Sequence, residues 1–200
     1  MQLAGICVGL MCIIPVIAEQ YSEYEVKAAF LIKFTKFVDW PEKKPDPNSA
    51  EAGNKRPFLI GVLGEDHFQG ALDKLAEAGT VDDRPMQVKR AAEVDPLLEC
   101  QMLFISASEE EHLEDILKAT KGRGILTVSD AKNFFDYGGM IQLMLEENRI
   151  QFRIDDDAAE AEGLKLSSQL LQLAKEVKHS REGGGSRQQG GAGKPEQTQP

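Results

Sequence analysis

The chain is short of the residues that the most recognisable chemistries need. It has three cysteines, three histidines and one tryptophan in 200 residues. Three cysteines cannot make a multi-bridge disulfide scaffold. His67, His112 and His179 stand on separate segments, whereas a zinc site ordinarily brings His or Cys in pairs at short spacing. The sequence contains no H-E-x-x-H, no C-x-x-C, no G-x-S-x-G and no Walker lysine. Basic blocks are missing too. Lys and Arg number 23 against 33 Asp and Glu, a net charge of −10, which makes nucleic acid and anionic lipid poor partners. Beyond residue 18 no apolar run is long enough to span a bilayer. The expectation is no catalytic set, no metal site and no cofactor.

What is present divides the chain into three parts. Met1 to Ala18 carries no charged side chain, and Val16-Ile17-Ala18 precedes Glu19 as a cleavage site would. This reads as a secretory signal peptide over 1–18, with an N-terminal anchor as the alternative. Cleavage removes Cys7 and Cys12 and leaves Cys100, which precedes an apolar run and is expected to be a buried thiol. Residues 180–200 are rich in glycine and glutamine with no large aliphatic side chain, so they are expected to be a disordered tail. The folded domain is expected over 20–179. Inside it, 41–56 has three prolines and no large apolar residue, which suggests a surface loop.

The periodicity predicts an α/β fold. Tyr21 to Trp40 has apolar and aromatic residues at helical spacing. Phe58–Leu63, Met102–Ile105 and Ile125–Val128 are short, continuous apolar runs, as expected of strands buried on both faces of a parallel sheet. Helices are expected between them, over 67–78 and 109–120, the latter with Ser108 and Glu111 as a capping box. Met86–Arg90 alternates weakly as a strand, and 130–136 reads as a short helix capped by Asp130. Met140–Leu145 and Arg149–Ile154 flank Glu146-Glu147-Asn148, a β-hairpin pattern. A final helix with Leu166, Leu170, Leu171, Leu173, Ala174 and Val177 on its apolar face is capped by Ser167 or Ser168. The whole is a single-domain α/β/α sandwich with a mainly parallel sheet and a C-terminal β-hairpin followed by a helix.

Each candidate for chemistry has a plainer reading. Gly61, Gly64 and Gly70 follow the first buried strand, but not at G-x-G-x-x-G spacing, and Glu65 and Asp66 stand where a phosphate would need donors. Asp155-Asp156-Asp157 lacks the alternating ligands of a calcium loop. Ser129 and Asp130 have no histidine placed beside them in sequence, and the carboxylates around His112 fit a solvated helix face. The remaining candidate is a partner- or anion-binding surface. It comprises Lys165 and Ser167 at the start of the final helix, with Arg149 and Arg153 on one face of the hairpin strand. The plain alternative is solvated charge at a strand edge.

The segments in order also resemble a known family. They are KAAFLIKFTKFVDWP (27–41), FLIGVLGEDHF (58–68), CQMLFIS (100–106), GILTVSD (124–130), GGMIQLMLEENRIQFRI (138–154) and AEGLKLSSQLLQLAKEV (161–177). Together they resemble the YfiR-like family of exported bacterial regulatory proteins. The resemblance implies a periplasmic regulator rather than an enzyme. Such a regulator binds the periplasmic sensor domain of a membrane diguanylate cyclase, repressing cyclic-di-GMP synthesis and biofilm formation. Histidine kinases are implied as other signalling partners. A small-ligand sensor acting with a histidine kinase or transporter is the alternative, and the sequence leaves a homodimer open. Two departures stand out: Asp155 is where the family often has Asn, and the single domain cysteine makes redox control through an internal disulfide doubtful.

Overall fold

The computed structural model describes residues 21–41 and 56–179. The expected signal peptide, tail and most of the 41–56 loop lie outside them. Helix α1, Glu23–Phe34, starts with a capping box: Ser22 Oγ accepts from the Glu25 N–H, and the Glu25 carboxylate accepts from the Ser22 N–H. The helix ends six residues short of Trp40, because Val38–Asp39 leaves it as strand β1. Ala28, Leu31 and Phe34 are fully buried. Each of the two larger side chains contributes about 1.5–3 kcal/mol by leaving water.

Strand β2, Phe58–Leu63, leads through α2, Ala71–Glu77, and the short β3, Thr80–Val81, to β4, Arg84–Ala91. A 3₁₀ turn at Asp95–Leu97 precedes β5, Met102–Ile105. The stretch expected as one helix after β5 is two elements, a 3₁₀ helix Ala107–His112 and α3, Leu113–Thr120. Ser106, not Ser108, caps it. Strand β6, Leu126–Ser129, is followed by turns rather than the expected short helix. The hairpin is β7, Ile141–Glu146, and β8, Arg149–Asp155, paired antiparallel as expected. Then come α4, Asp156–Ala161, and β9, Lys165–Leu166. The expected final helix is only α5, Ser168–Leu173, and its tail straightens into β10, Glu176–Lys178.

Eight strands form one sheet in the order β3-β4-β2-β5-β6-β7-β8-β10. From β4 to β7 all neighbours are parallel. These five strands, renumbered in chain order, run 2-1-3-4-5, a doubly wound arrangement. Strand β8 reverses, and β10 runs parallel to β8. Strands β1 and β9 form a separate antiparallel ribbon.

Alternation along each strand feeds two cores. Phe58, Ile60, Val62, Met102, Phe104, Leu126 and Val128 pack in one core with the buried residues of α1 and α2. Leu63, Leu103, Ile105, Leu113, Ile116 and Phe134 pack in the other, with α3. Cys100 is buried in the second core, as expected. It sits close to Gly61, where an added Cβ would lie 3.2 Å from Sγ and 2.9 Å from Leu103.

Candidate functional site

A doubly wound sheet offers a crevice where its crossovers part to opposite faces, outside the carboxyl ends of the strands. Here α2 follows β2 on one face and α3 follows β5 on the other, so the crevice opens between β2 and β5. The chain fills it with its own groups. The Glu65 N–H donates to Ser108 Oγ at 3.0 Å, and Ser108 Oγ donates to Glu109 Oε1 at 3.3 Å. Gly64 makes this closeness feasible. Its φ is +85°, and a Cβ there would lie 2.7 Å from Glu109 Oε1.

Beside this crevice Asp130, just past β6, gathers the most connected polar cluster. One carboxylate oxygen accepts from Lys27 Nζ at 2.6 Å and from the Tyr24 hydroxyl at 2.9 Å. The other accepts from the Ala107 N–H at 2.9 Å. Lys27 also pairs with Glu23 at 2.5 Å. The Lys27 and Asp130 side chains are only 4% and 6% exposed, so this is a buried ion pair. Lys27 lies over the Tyr24 ring, 4.2 Å from its centroid. That ring in turn packs edge-on against Phe68 and tilted against His67. Burial, and then the bond to Asp130, push the Tyr24 phenol well above its ordinary range. The arrangement fastens the first turns of α1 across the carboxyl ends of β5 and β6. Asp130 therefore anchors α1 instead of capping a following helix. Ser129 Oγ accepts from the Ala131 N–H and donates to the Ile105 carbonyl. His112 is exposed and pairs with Glu109, as a solvated helix face would.

Arg149, Arg153, Lys165 and Ser167 divide between the two sheets. Arg149 is exposed at the start of β8, opposite Glu146. Arg153 Nε donates to Gln142 Oε1 at 2.8 Å, its guanidinium lies 4.3 Å from the Phe135 ring centroid, and Glu176 is 3.9 Å away. Lys165 is exposed on the β1–β9 ribbon, opposite Asp39. Ser167 caps α5, its Oγ accepting from the Leu170 N–H, while its own N–H donates to the Phe37 carbonyl. Two large apolar side chains accompany the β8 end: Leu145, paired across from Ile150, and Leu173 of α5 are both exposed. An ion pair between Lys175 and Glu146 ties the two segments together.

Sequence reasoning missed Tyr24 and Lys27 as partners of Asp130. The available signal was a lysine with a tyrosine three residues earlier, inside an otherwise apolar stripe. Among the described residues no group of His, Cys, Asp and Glu is arranged to hold a metal, and no helix is long and apolar enough to cross a membrane.

No curated protein matches this sequence. A conserved domain protein from Vibrio cholerae O1 biovar El Tor has a crystal structure similar to this one, with a TM-score of 0.53 and 11% identity. The match covers 80% of this chain and 61% of that one, so this chain spans less than two thirds of that relative's length. That likeness is one of fold. The ABC domain in complex with L-Trp from Streptococcus pneumonia matches at a TM-score of 0.44 and 8% identity, over 60% of this chain and 55% of that one. The family model described as YfiR/HmsC-like matches residues 24–175.

Proposed function

The chain belongs to the YfiR/HmsC-like family, and on that premise we propose that it is an exported, periplasmic regulatory protein that binds the periplasmic domain of a membrane signalling enzyme. The observation that carries this reading is the match over 24–175. It takes in the α1 anchor, the whole parallel sheet and the hairpin. The target we favour is a diguanylate cyclase whose output falls when the regulator is bound, lowering cyclic-di-GMP and biofilm formation. In this reading the mature chain begins after Ala18, and the regulatory domain is the part described over 21–41 and 56–179.

The mechanism is linkage. A regulator that prefers one conformation of a sensor shifts the sensor's population by the difference in its two affinities. It needs a stable surface and no reacting group. The anchoring of α1 through Lys27 and Asp130 supports such a role, since it fastens α1 to the carboxyl ends of β5 and β6. For the contact surface we propose the open end of the hairpin, where the exposed Arg149 stands on the same face as the half-buried Arg153 and the exposed Leu145 on the opposite face, with the exposed Leu173 of α5. Lys165 and Ser167 form a second patch on the ribbon.

The test is capture with residues 19–200 as bait from detergent-solubilised envelope of the source cell, with bound proteins identified by mass spectrometry. Recovery of a membrane diguanylate cyclase or histidine kinase, lost with Leu145→Asp, is the expected result. Recovery of no signalling protein from an extract shown to contain them would overturn the reading in favour of a small-ligand sensor.

A further inference from the structure

The segment that follows β6 is built of turns from Lys132 to Gly138, yet it packs Phe134 and Phe135 on the second core. Phe134 is fully buried and lies against Gly139, where an added Cβ would come 2.2 Å from its ring. The segment's own backbone bonds leave its start weakly held, since the Phe134 N–H reaches the Ala131 carbonyl only at 3.4 Å. Backbone carbonyls shut away from water need better donors than that. The donor is a side chain from another element. Gln142 of β7 is only 3% exposed, and its amide nitrogen donates to the Ala131 carbonyl at 2.5 Å and to the Lys132 carbonyl at 3.0 Å.

The same amide is fixed from its other end. Arg153 stands directly opposite Gln142 in the hairpin register, and its Nε donates to Gln142 Oε1 at 2.8 Å. With donors and acceptor both engaged, the amide has one orientation. A bond from a charged donor is also roughly twice as strong as a neutral one. The guanidinium lies 4.3 Å from the ring centroid of Phe135, inside the turn segment. Three contacts therefore run from the hairpin strands to residues 131–135 through this one pair. The far side of the segment faces solvent at the carboxyl ends of β5 and β6. There Asn133 and Tyr137 line a groove with Ser108, Glu110 and Glu111, and Asn133 Nδ2 donates to Glu110 Oε1 at 3.0 Å.

We propose that Gln142 and Arg153 form a tether through which the hairpin positions the 131–138 segment, and that a carboxylate drawing the Arg153 guanidinium outward releases it. The outward side of the guanidinium is only loosely engaged. The Arg153 side chain is 27% exposed, and the Glu176 carboxylate is 3.9 Å away and itself largely exposed, a weak pair that a closer carboxylate displaces. Once Arg153 swings out, Gln142 loses the bond that orients its amide and Phe135 loses the cation over its ring. Contact at the hairpin is thereby reported at the groove through a contiguous set of packed and hydrogen-bonded groups. The source of the carboxylate rests on the contact surface proposed above. The tether does not, and it is tested in the isolated chain.

Amide hydrogen exchange on residues 19–200 without a partner is that test, with β2 and β5 as the internal reference. Arg153→Lys keeps the charge but loses the Nε donor and the planar stack. Protection of the Phe134, Asp136, Gly138 and Gly139 amides should fall about three- to tenfold, the worth of one hydrogen bond, while β2 and β5 stay unchanged. Gln142→Met should lower the same amides at least as far. The double variant should fall short of the product of the two single effects, because the arginine acts through the glutamine. Gln151→Glu places a carboxylate two residues from Arg153 on the same strand face. It should reproduce the fall, and should add nothing to Arg153→Lys. Unchanged protection of the segment in Arg153→Lys, an equal fall in β2 and β5, or single effects that multiply in the double variant would overturn the tether. A Gln151→Glu chain as protected as the unaltered one would overturn the release.

Discussion

At the scale of single residues, the Lys27–Asp130 pair is where one substitution costs most. Both side chains are buried, and Asp130 also holds Tyr24 and the Ala107 N–H. Removing one partner of a buried pair leaves the other charge without its counterion in a poorly solvated place. Lys27→Met should therefore cost about 3–5 kcal/mol of stability, read from the urea midpoint. Tyr24→Phe removes one hydrogen bond and should cost only about 1 kcal/mol. If the two variants lose equal stability, the ion pair is not what fastens α1. Gly64 is the other sensitive position. Its φ of +85° and its closeness to Ser108 and Glu109 penalise Gly64→Ala twice, by about 1–3 kcal/mol altogether. Ser108→Ala in the same chain should return only the share of the steric cost that the Ser108 hydroxyl imposes, leaving the Glu109 contact and the backbone part. The double variant should thus be more stable than the sum of the singles predicts. None of this was legible in the sequence as a site. Asp130 was readable as a cap because caps are local, but its real partners lie 103 and 106 positions away. Only the fold brings them together.

At the scale of elements, local pattern was enough wherever burial on both faces produced a continuous apolar run. Strands β2, β5 and β6 are of that kind, and the hairpin was readable from its alternation around Glu147 and Asn148. The last helix was not. Leu173 and Val177 fit its apolar stripe by spacing, yet Leu173 is exposed and Val177 belongs to β10. The competing force is the open edge of β8, whose unpaired backbone groups recruit the segment, and a ladder bond to a distant strand leaves no periodicity in the sequence. The helix expected over 130–136 fails for a related reason. That connection need only turn over the second core and seat Phe134, and turns suffice for so short a crossing. The hairpin makes its own prediction. Glu147 and Asn148 have φ of 47° and 60°, the left-handed pair of a type I′ turn, for which Asn-Gly is the favoured sequence. Glu147→Asn with Asn148→Gly should stabilise the domain by about 1 kcal/mol. A lower melting temperature in that variant would mean that the glutamate makes contacts worth more than the turn strain.

At the scale of the whole molecule, the net charge of −10 makes proton binding the variable to which all these contacts answer together, and the groups pull in opposite directions. Arg90 joins β4 to Asp73 at the start of α2 and to Asp66 before it. Its hydrogen bond, followed by its charge, holds the Asp73 carboxyl below the ordinary range against a desolvation that raises it. Glu25 is lowered by the Ser22 backbone and side chain in the capping box. For both, the folded value lies below the unfolded one, so their support is present above the ordinary carboxylate values and is lost as pH falls through the depressed ones. Asp156 has the opposite sign, raised by burial, so its cost is absent in acid and present at neutrality. Two variants should therefore shift the melting profile in opposite senses. Arg90→Gln should lower the melting temperature more at pH 6 than at pH 3, because at pH 3 much of the Asp73 contribution has already gone. Asp156→Asn should raise it at pH 7 and leave it nearly unchanged at pH 3, where the aspartate is itself neutral. Calorimetry of both variants at the three pH values decides the matter. Parallel shifts at every pH would mean that Arg90 and Asp156 act through packing, and that the acid response of this domain lies in other groups.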